Sequence, residues 1–231
     1  MIIMQSIAMA LVFAVLAVTS WAKPPEVSHF TTPGPGSNEI WLILGHNFVP
    51  GKTEVTHYVL PTQQLDSAET DGWIKEVGKV PPLPAKPPKE SQPLEILDAT
   101  DSALVVRGVR TGCPLFAFWV KTPDGLSQPQ LANLPEPYWV GREKLEPDEI
   151  SMVFGNRCAM ERRWEIRFGR IVLKPKGGGA PRELEVLKPT HNRTGGIMPF
   201  RVPMDTPPGA YELWVHNGWG DKWGWGGPLM L

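Results

Sequence analysis

Ile40-Trp41-Leu42-Ile43-Leu44-Gly45-His46-Asn47-Phe48 and Ile150-Ser151-Met152-Val153-Phe154-Gly155-Asn156-Arg157 carry one pattern twice: a continuous apolar run closed by glycine. The match continues. Leu94-Glu95-Ile96-Leu97 answers to Leu184-Glu185-Val186-Leu187, and Phe116-Ala117-Phe118-Trp119-Val120 answers to Tyr211-Glu212-Leu213-Trp214-Val215. An internal repeat governs every later reading of a fold. It also sorts the residues. What both copies share serves the architecture. What only one copy has is where a specific function is expected, and the clearest such stretch is Gly218-Trp219-Gly220-Asp221-Lys222-Trp223-Gly224-Trp225-Gly226-Gly227.

The short apolar runs bounded by turn residues read as strands. Residues 40–44, 55–60, 104–106 and 115–120 are strands of the first copy. In the second copy these are 150–154, 164–168, 184–187, 199–202 and 211–216, with 164–168 showing a clear period of two. The 26 Pro and 23 Gly favour turns and strands over helices. Roughly seven short strands per copy are the pattern of an immunoglobulin-like sandwich. The expected fold is therefore all-β: two tandem immunoglobulin-like β-sandwiches, residues 23–135 and 136–231, with a boundary near Leu134-Pro135-Glu136-Pro137. Residues 80–93 hold six prolines, which removes backbone donors, so an extended surface loop is expected there. Asp66, Glu69 and Asp71 fall in a polar loop.

Alternation assigns the faces. Phe116, Phe118 and Val120, like Tyr211, Leu213 and Val215, point between the sheets. Trp119 and Trp214 then point outward at equivalent positions, where packing against a loop or a neighbouring domain is expected. Tyr211, after Pro207-Pro208-Gly209, fits a tyrosine corner, and Phe116 takes its place in the first copy.

Residues 1–22 read as an export signal, with an apolar core over 7–18 and Ser20-Trp21-Ala22 before the cut; an uncleaved anchor is the alternative. A secreted, periplasmic or cell-surface protein follows, with no membrane contact after cleavage. The net charge of −1 argues against nucleic acid as a partner. Cys113 and Cys158 fall one in each copy, as two buried thiols or as one bond between the domains.

No catalytic constellation stands out. The five histidines lack metal-ligand spacing, no Gly-x-Ser-x-Gly elbow occurs, and Gly177-Gly178-Gly179 lacks the Lys-Ser/Thr ending of a phosphate loop. No metal and no cofactor is expected. Trp219, Asp221, Trp223 and Trp225 are either a sugar-stacking surface or an interdomain filling. Arg163, Arg167 and Arg170 lie in a basic stretch over 157–176. They are candidates for contact with an acidic polysaccharide, or they are an ordinary solvated face.

Gly45-His46-Asn47-Phe48, after a Pro-Gly-rich opening, resembles the start of IPT/TIG immunoglobulin-like domains. The run from Pro208-Gly209-Ala210-Tyr211 to Gly218, followed by Trp223-Gly224-Trp225 and Pro228, is similar to the N-terminal region of large secreted bacterial proteins. In those proteins the next domain is a pectate-lyase-like right-handed β-helix. The resemblance implies a non-catalytic accessory region of a polysaccharide-degrading protein, with polysaccharide or a following β-helix domain as partner. No β-helix follows Leu231 in this sequence, so no catalytic residue carries over. A fragment of a longer protein and a stand-alone accessory protein both fit. The alternative function is a stand-alone carbohydrate-binding or adhesion module.

Overall fold

The computed structural model describes residues 23–31, 40–61, 70–108, 115–142, 144–158, 161–162, 165–166, 169–187, 196–218 and 221–231. The export signal, Cys113 and the side chains of Arg163, Arg167 and Asp221 lie outside the described residues, as does Trp219.

The fold is two antiparallel β-sandwiches of immunoglobulin-like topology. The first contains β1 (Glu26–Phe30), β2 (Ile40–His46), β3 (Glu54–Val59), β4 (Gln92–Leu94), β5 (Ile96–Ala99), β6 (Ala103–Arg107), β7 (Phe116–Thr122), β8 (Gly125–Leu126) and β9 (Gln130–Ala132). One sheet runs β1-β2-β6-β5; the other runs β4-β3-β7-β8, with β9 also on β7. A single helical turn, α1 (Thr70–Ile74), lies in the long connection between β3 and β4. Pro93 sits in β4, an edge strand, where a missing donor is tolerated.

The second sandwich contains β10 (Glu136–Val140), β11 (Ile150–Asn156), β12 (Glu161–Arg162), β13 (Glu165–Ile166), β14 (Arg170–Pro175), β15 (Arg182–Val186), β16 (Ile197–Arg201), β17 (Tyr211–His216) and β18 (Trp225–Met230). Its strands form one path, β10-β11-β16-β15-β14-β17-β18, because β15 pairs with β14 along its length and with β16 at its end. Of the strand expected over 164–168, the described part is β13, which pairs antiparallel with β12.

Each sandwich closes on its own core. The first packs Trp41, Ile43, Leu104 and Val106 against Phe116, Phe118 and Val120. The second packs Val153, Met198 and Phe200 against Ile171, Leu213 and Val215. The Tyr211 hydroxyl donates to the Pro207 carbonyl at 2.6 Å, which makes the tyrosine corner.

The repeated motif has a physical cause. β1 lies on β2, and β10 on β11, in the same register, with an irregularity at the same step. A Cβ on Gly45 would sit 1.9 Å from the Glu26 carbonyl oxygen, and one on Gly155 would sit 2.3 Å from that of Glu136. Only glycine fits either place. Two residues on, Asn47 and Arg157 both take left-handed backbone, at φ 63° and 55°. The Asn47 amide then donates to the Pro24 carbonyl, and the Arg157 Nε to the Leu134 carbonyl, at 3.0 and 3.1 Å. Phe48 and Cys158 follow, both buried.

Trp119 points out of the first sandwich and is fully buried in a cluster with Leu60 and Leu115, against which Leu83, Leu131 and Trp223 pack. Among the described residues no helix is long and apolar enough to cross a membrane. Trp119→Ala should lower unfolding free energy by about 3–5 kcal/mol, the usual cost of emptying a filled aromatic site. Trp214→Ala, with a ring only partly covered, should lose less. Urea denaturation of the two single variants measures the difference.

Candidate functional site

The two sandwiches meet along a seam built by two segments. The first is the β3–β4 connection. It carries α1 away from its own sandwich and lays Trp73 and Val77 on the outer face of the second, against Val172 and Trp225. The Trp73 ring lies 4.6 Å from the His216 ring, and the Arg170 guanidinium lies 5.2 Å from its centroid. Gly78, at φ +81°, and Gly227, at φ +135°, both approach Trp214: a Cβ would come within 3.1 and 3.2 Å of the indole.

The second segment is the tryptophan-glycine stretch. Its two described rings face opposite ways. Trp223 joins the cover over Trp119 on the first sandwich, with the Lys222 ammonium 4.7 Å above its ring. Trp225 is 3% exposed and packs edge-on to His216 at 4.9 Å on the second. A Cβ on Gly226 would sit 1.7 Å from the Pro135 carbonyl oxygen, so the chain linking the sandwiches lies directly on this glycine. Trp225 is thus packed within the seam rather than laid open on the surface. Arg170 is held inside the seam, paired with Glu183 at 3.5 Å.

The seam leaves a groove of about 450 Å³. Val80, Leu131 and Trp223 give it apolar wall; Asn133, Glu136 and Arg157 give it polar edge. Arg157 is buried and forms an ion pair with the Glu136 carboxylate.

Beside the groove is a feature that the sequence analysis missed. Tyr138 and Trp139, on β10, are 54% and 55% exposed. Trp139 stacks on its cross-strand partner Phe154 at 5.2 Å and 16°, and Tyr138 lies 6.3 Å from Trp139 at 26°. The three rings are nearly parallel and stand at the surface. The equivalent positions of the first sandwich hold Ser28, His29 and Leu44. The stack is thus confined to one copy. It has a polar rim: Glu136 Oε2 accepts from the Tyr138 hydroxyl at 3.2 Å and from the Asn156 amide at 3.5 Å. Partial desolvation, then the Glu136 charge, raises the Tyr138 phenol above its ordinary pKa. It stays a neutral hydroxyl at physiological pH. The signal was present in the sequence as Tyr138-Trp139 against Ser28-His29. The expected boundary at 134–137 leaves residues 138–149 without an expected strand, whereas β10 spans Glu136–Val140.

Other chemistry is sparse. Burial pushes the Cys158 thiol up to about 12, so it is not a nucleophile at neutral pH. No group of three or more His, Cys, Asp or Glu able to hold a metal occurs among the described residues.

No protein-family model matches the chain, and no curated relative does. Several solved structures are similar in part. SGBP-B from a complex xyloglucan utilization locus in Bacteroides uniformis is 11% identical, with a TM-score of 0.33, over 89% of this chain and 48% of that one. The FN1–FN3 domains of chicken CNTN1 are 12% identical, with a TM-score of 0.28, over 90% and 65%. SGBP-B of the Bacteroides ovatus mixed-linkage glucan utilization locus, in complex with a mixed-linkage heptasaccharide, is 12% identical, with a TM-score of 0.28, over 88% and 43%. The chain spans about half the length of the first of these.

Trp225→Ala should cost about 3–5 kcal/mol of stability, as for a core ring. A loss below about 1 kcal/mol in urea denaturation would show that the ring is not packed in the seam.

Proposed function

We propose that the chain is a secreted or cell-surface glycan-binding module without catalysis of its own, and that Tyr138, Trp139 and Phe154 form its sugar contact. The single observation that carries this reading is the exposed aromatic stack, present in one copy of the repeat and absent from the other. Sugar rings have apolar C–H faces and polar edges. Half-exposed aromatic rings match the faces, while the Tyr138 hydroxyl, Asn156 and Glu136 match the edges. The cost of ordering such a contact is small, because the rings are already held by one another and by the paired strands. Within a longer secreted protein, the pair of sandwiches would hold a polysaccharide-acting domain on its substrate, as the sequence resemblance implies.

The row next to the stack, Ile150 and Met152, is also exposed and apolar. That row favours a second reading, adhesion to another protein surface, over the same strands.

Affinity electrophoresis in gels containing xylan, hydroxyethylcellulose, glucomannan, pectin or alginate separates the two. Retardation of the purified protein in at least one gel is expected. Trp139→Ala should abolish it while lowering stability by about 1 kcal/mol or less. Unretarded migration in every gel removes the glycan reading and leaves adhesion.

A further inference from the structure

We propose that the seam groove is the second half of the sugar site, and that the site takes an uncharged polysaccharide running from the aromatic stack past Glu136 into the groove. This rests on the glycan-binding reading and extends it to a ligand class and a length.

Continuity comes first. Glu136 lines the groove and also accepts from the Tyr138 hydroxyl, so one side chain borders both surfaces. Pro137 lines the groove, and the next two residues are the exposed rings.

The groove has the make-up of a ligand site. Its volume lies within the roughly 300–1,000 Å³ range of small-molecule pockets, and it combines apolar wall with a few polar groups. Trp225 also lines it, and its Nε1–H is buried with no acceptor in the structure. A buried donor without a partner is destabilising, and polyhydroxylated ligands bring acceptors.

Charge selects the class. Of the described cations, Lys79 and Arg157 line the groove and pair with Glu76 at 3.2 Å and with Glu136, while Lys222 lies over the face of Trp223. Arg170 is held by Glu183 and Trp73. Glu136 keeps 43% of its side chain exposed at the junction. A uronate would bring a second negative charge beside that carboxylate, while a neutral sugar would find a hydrogen-bond acceptor.

The test uses the full chain with cello-, xylo- and manno-oligosaccharides from dimer to hexamer, and with galacturonide hexamer as the charged arm. Calorimetry should show a neutral hexamer binding at least about tenfold more tightly than its dimer, which is about 1.4 kcal/mol. Galacturonide hexamer should bind more weakly than that neutral hexamer. Indole N–H resonances, assigned with single Trp→Phe variants, should move at Trp139 with the dimer and at Trp223 and Trp225 only with longer chains. Equal affinity for dimer and hexamer, with Trp223 and Trp225 unmoved, overturns the groove and leaves the stack standing. Tighter binding of galacturonide overturns the neutral class. Failure of every oligosaccharide to bind removes the glycan reading itself, and the groove with it.

Discussion

The structure depends on covering two apolar sheet faces that point away from their own cores. An immunoglobulin-like sandwich buries its inner faces and leaves the outer ones to water. Here the outer face of β7 carries Trp119 and Ala117, and the outer face of β17 carries Trp214 beside Val172 of β14. Neither can stay open. A buried indole removes about 150–250 Å² from water, worth at most roughly 4–6 kcal/mol. That outweighs the 1–3 kcal/mol lost where Trp119 and Trp225 bury a ring nitrogen without a partner. The net gain accounts for an inserted helical turn and a tryptophan-glycine stretch placed where an ordinary sandwich has short turns.

The same cover ties the two sandwiches into one object. α1 belongs to the first copy by sequence and to the second by packing; Trp223 does the reverse. Such crossing contacts resist hinge motion more than the short linker at Pro135 alone would. The close approach of that linker to Gly226 also fixes where β10 begins. Its first residues border the groove and its next residues present the aromatic stack. Binding surface and domain junction are thus parts of one strand.

Much of this was legible in the sequence and some was not, for physical reasons. The repeat, the sandwich class, the inward set Phe116, Phe118, Val120, Leu213 and Val215, and the corner at Tyr211 rest on local periodicity and turn chemistry, which a chain displays directly. The outward pair Trp119 and Trp214 followed from the same alternation. α1 did not, because one turn is too short to show a helical period. Tyr138 was missed because the irregularity between Pro137 and Trp139 breaks alternation, so two successive side chains reach solvent. The environment of Trp225 was beyond any local reading, since the residues that bury it, Trp73 and Val77, come from the other copy.

The two copies show how a repeat acquires a site without losing its fold. At the end of β2 and of β11, the backbone demands a glycine and then a residue in left-handed conformation. Asn47 meets the second demand in one copy and Arg157 in the other, and each satisfies a carbonyl of the preceding segment. Arg157 can do more than Asn47, because its guanidinium has donors left over after that bond. It spends them on Glu136, a position held by Glu26 in the first copy. With the Arg157 guanidinium beside it, Glu136 can stand beside aromatic rings as a paired carboxylate and acceptor. Ser28, His29 and Leu44 become Tyr138, Trp139 and Phe154 at solvent-facing places where the backbone imposes no choice. The positions that differ between the copies are thus the ones that the shared geometry leaves free, and at one end of β10 they converge on a single surface.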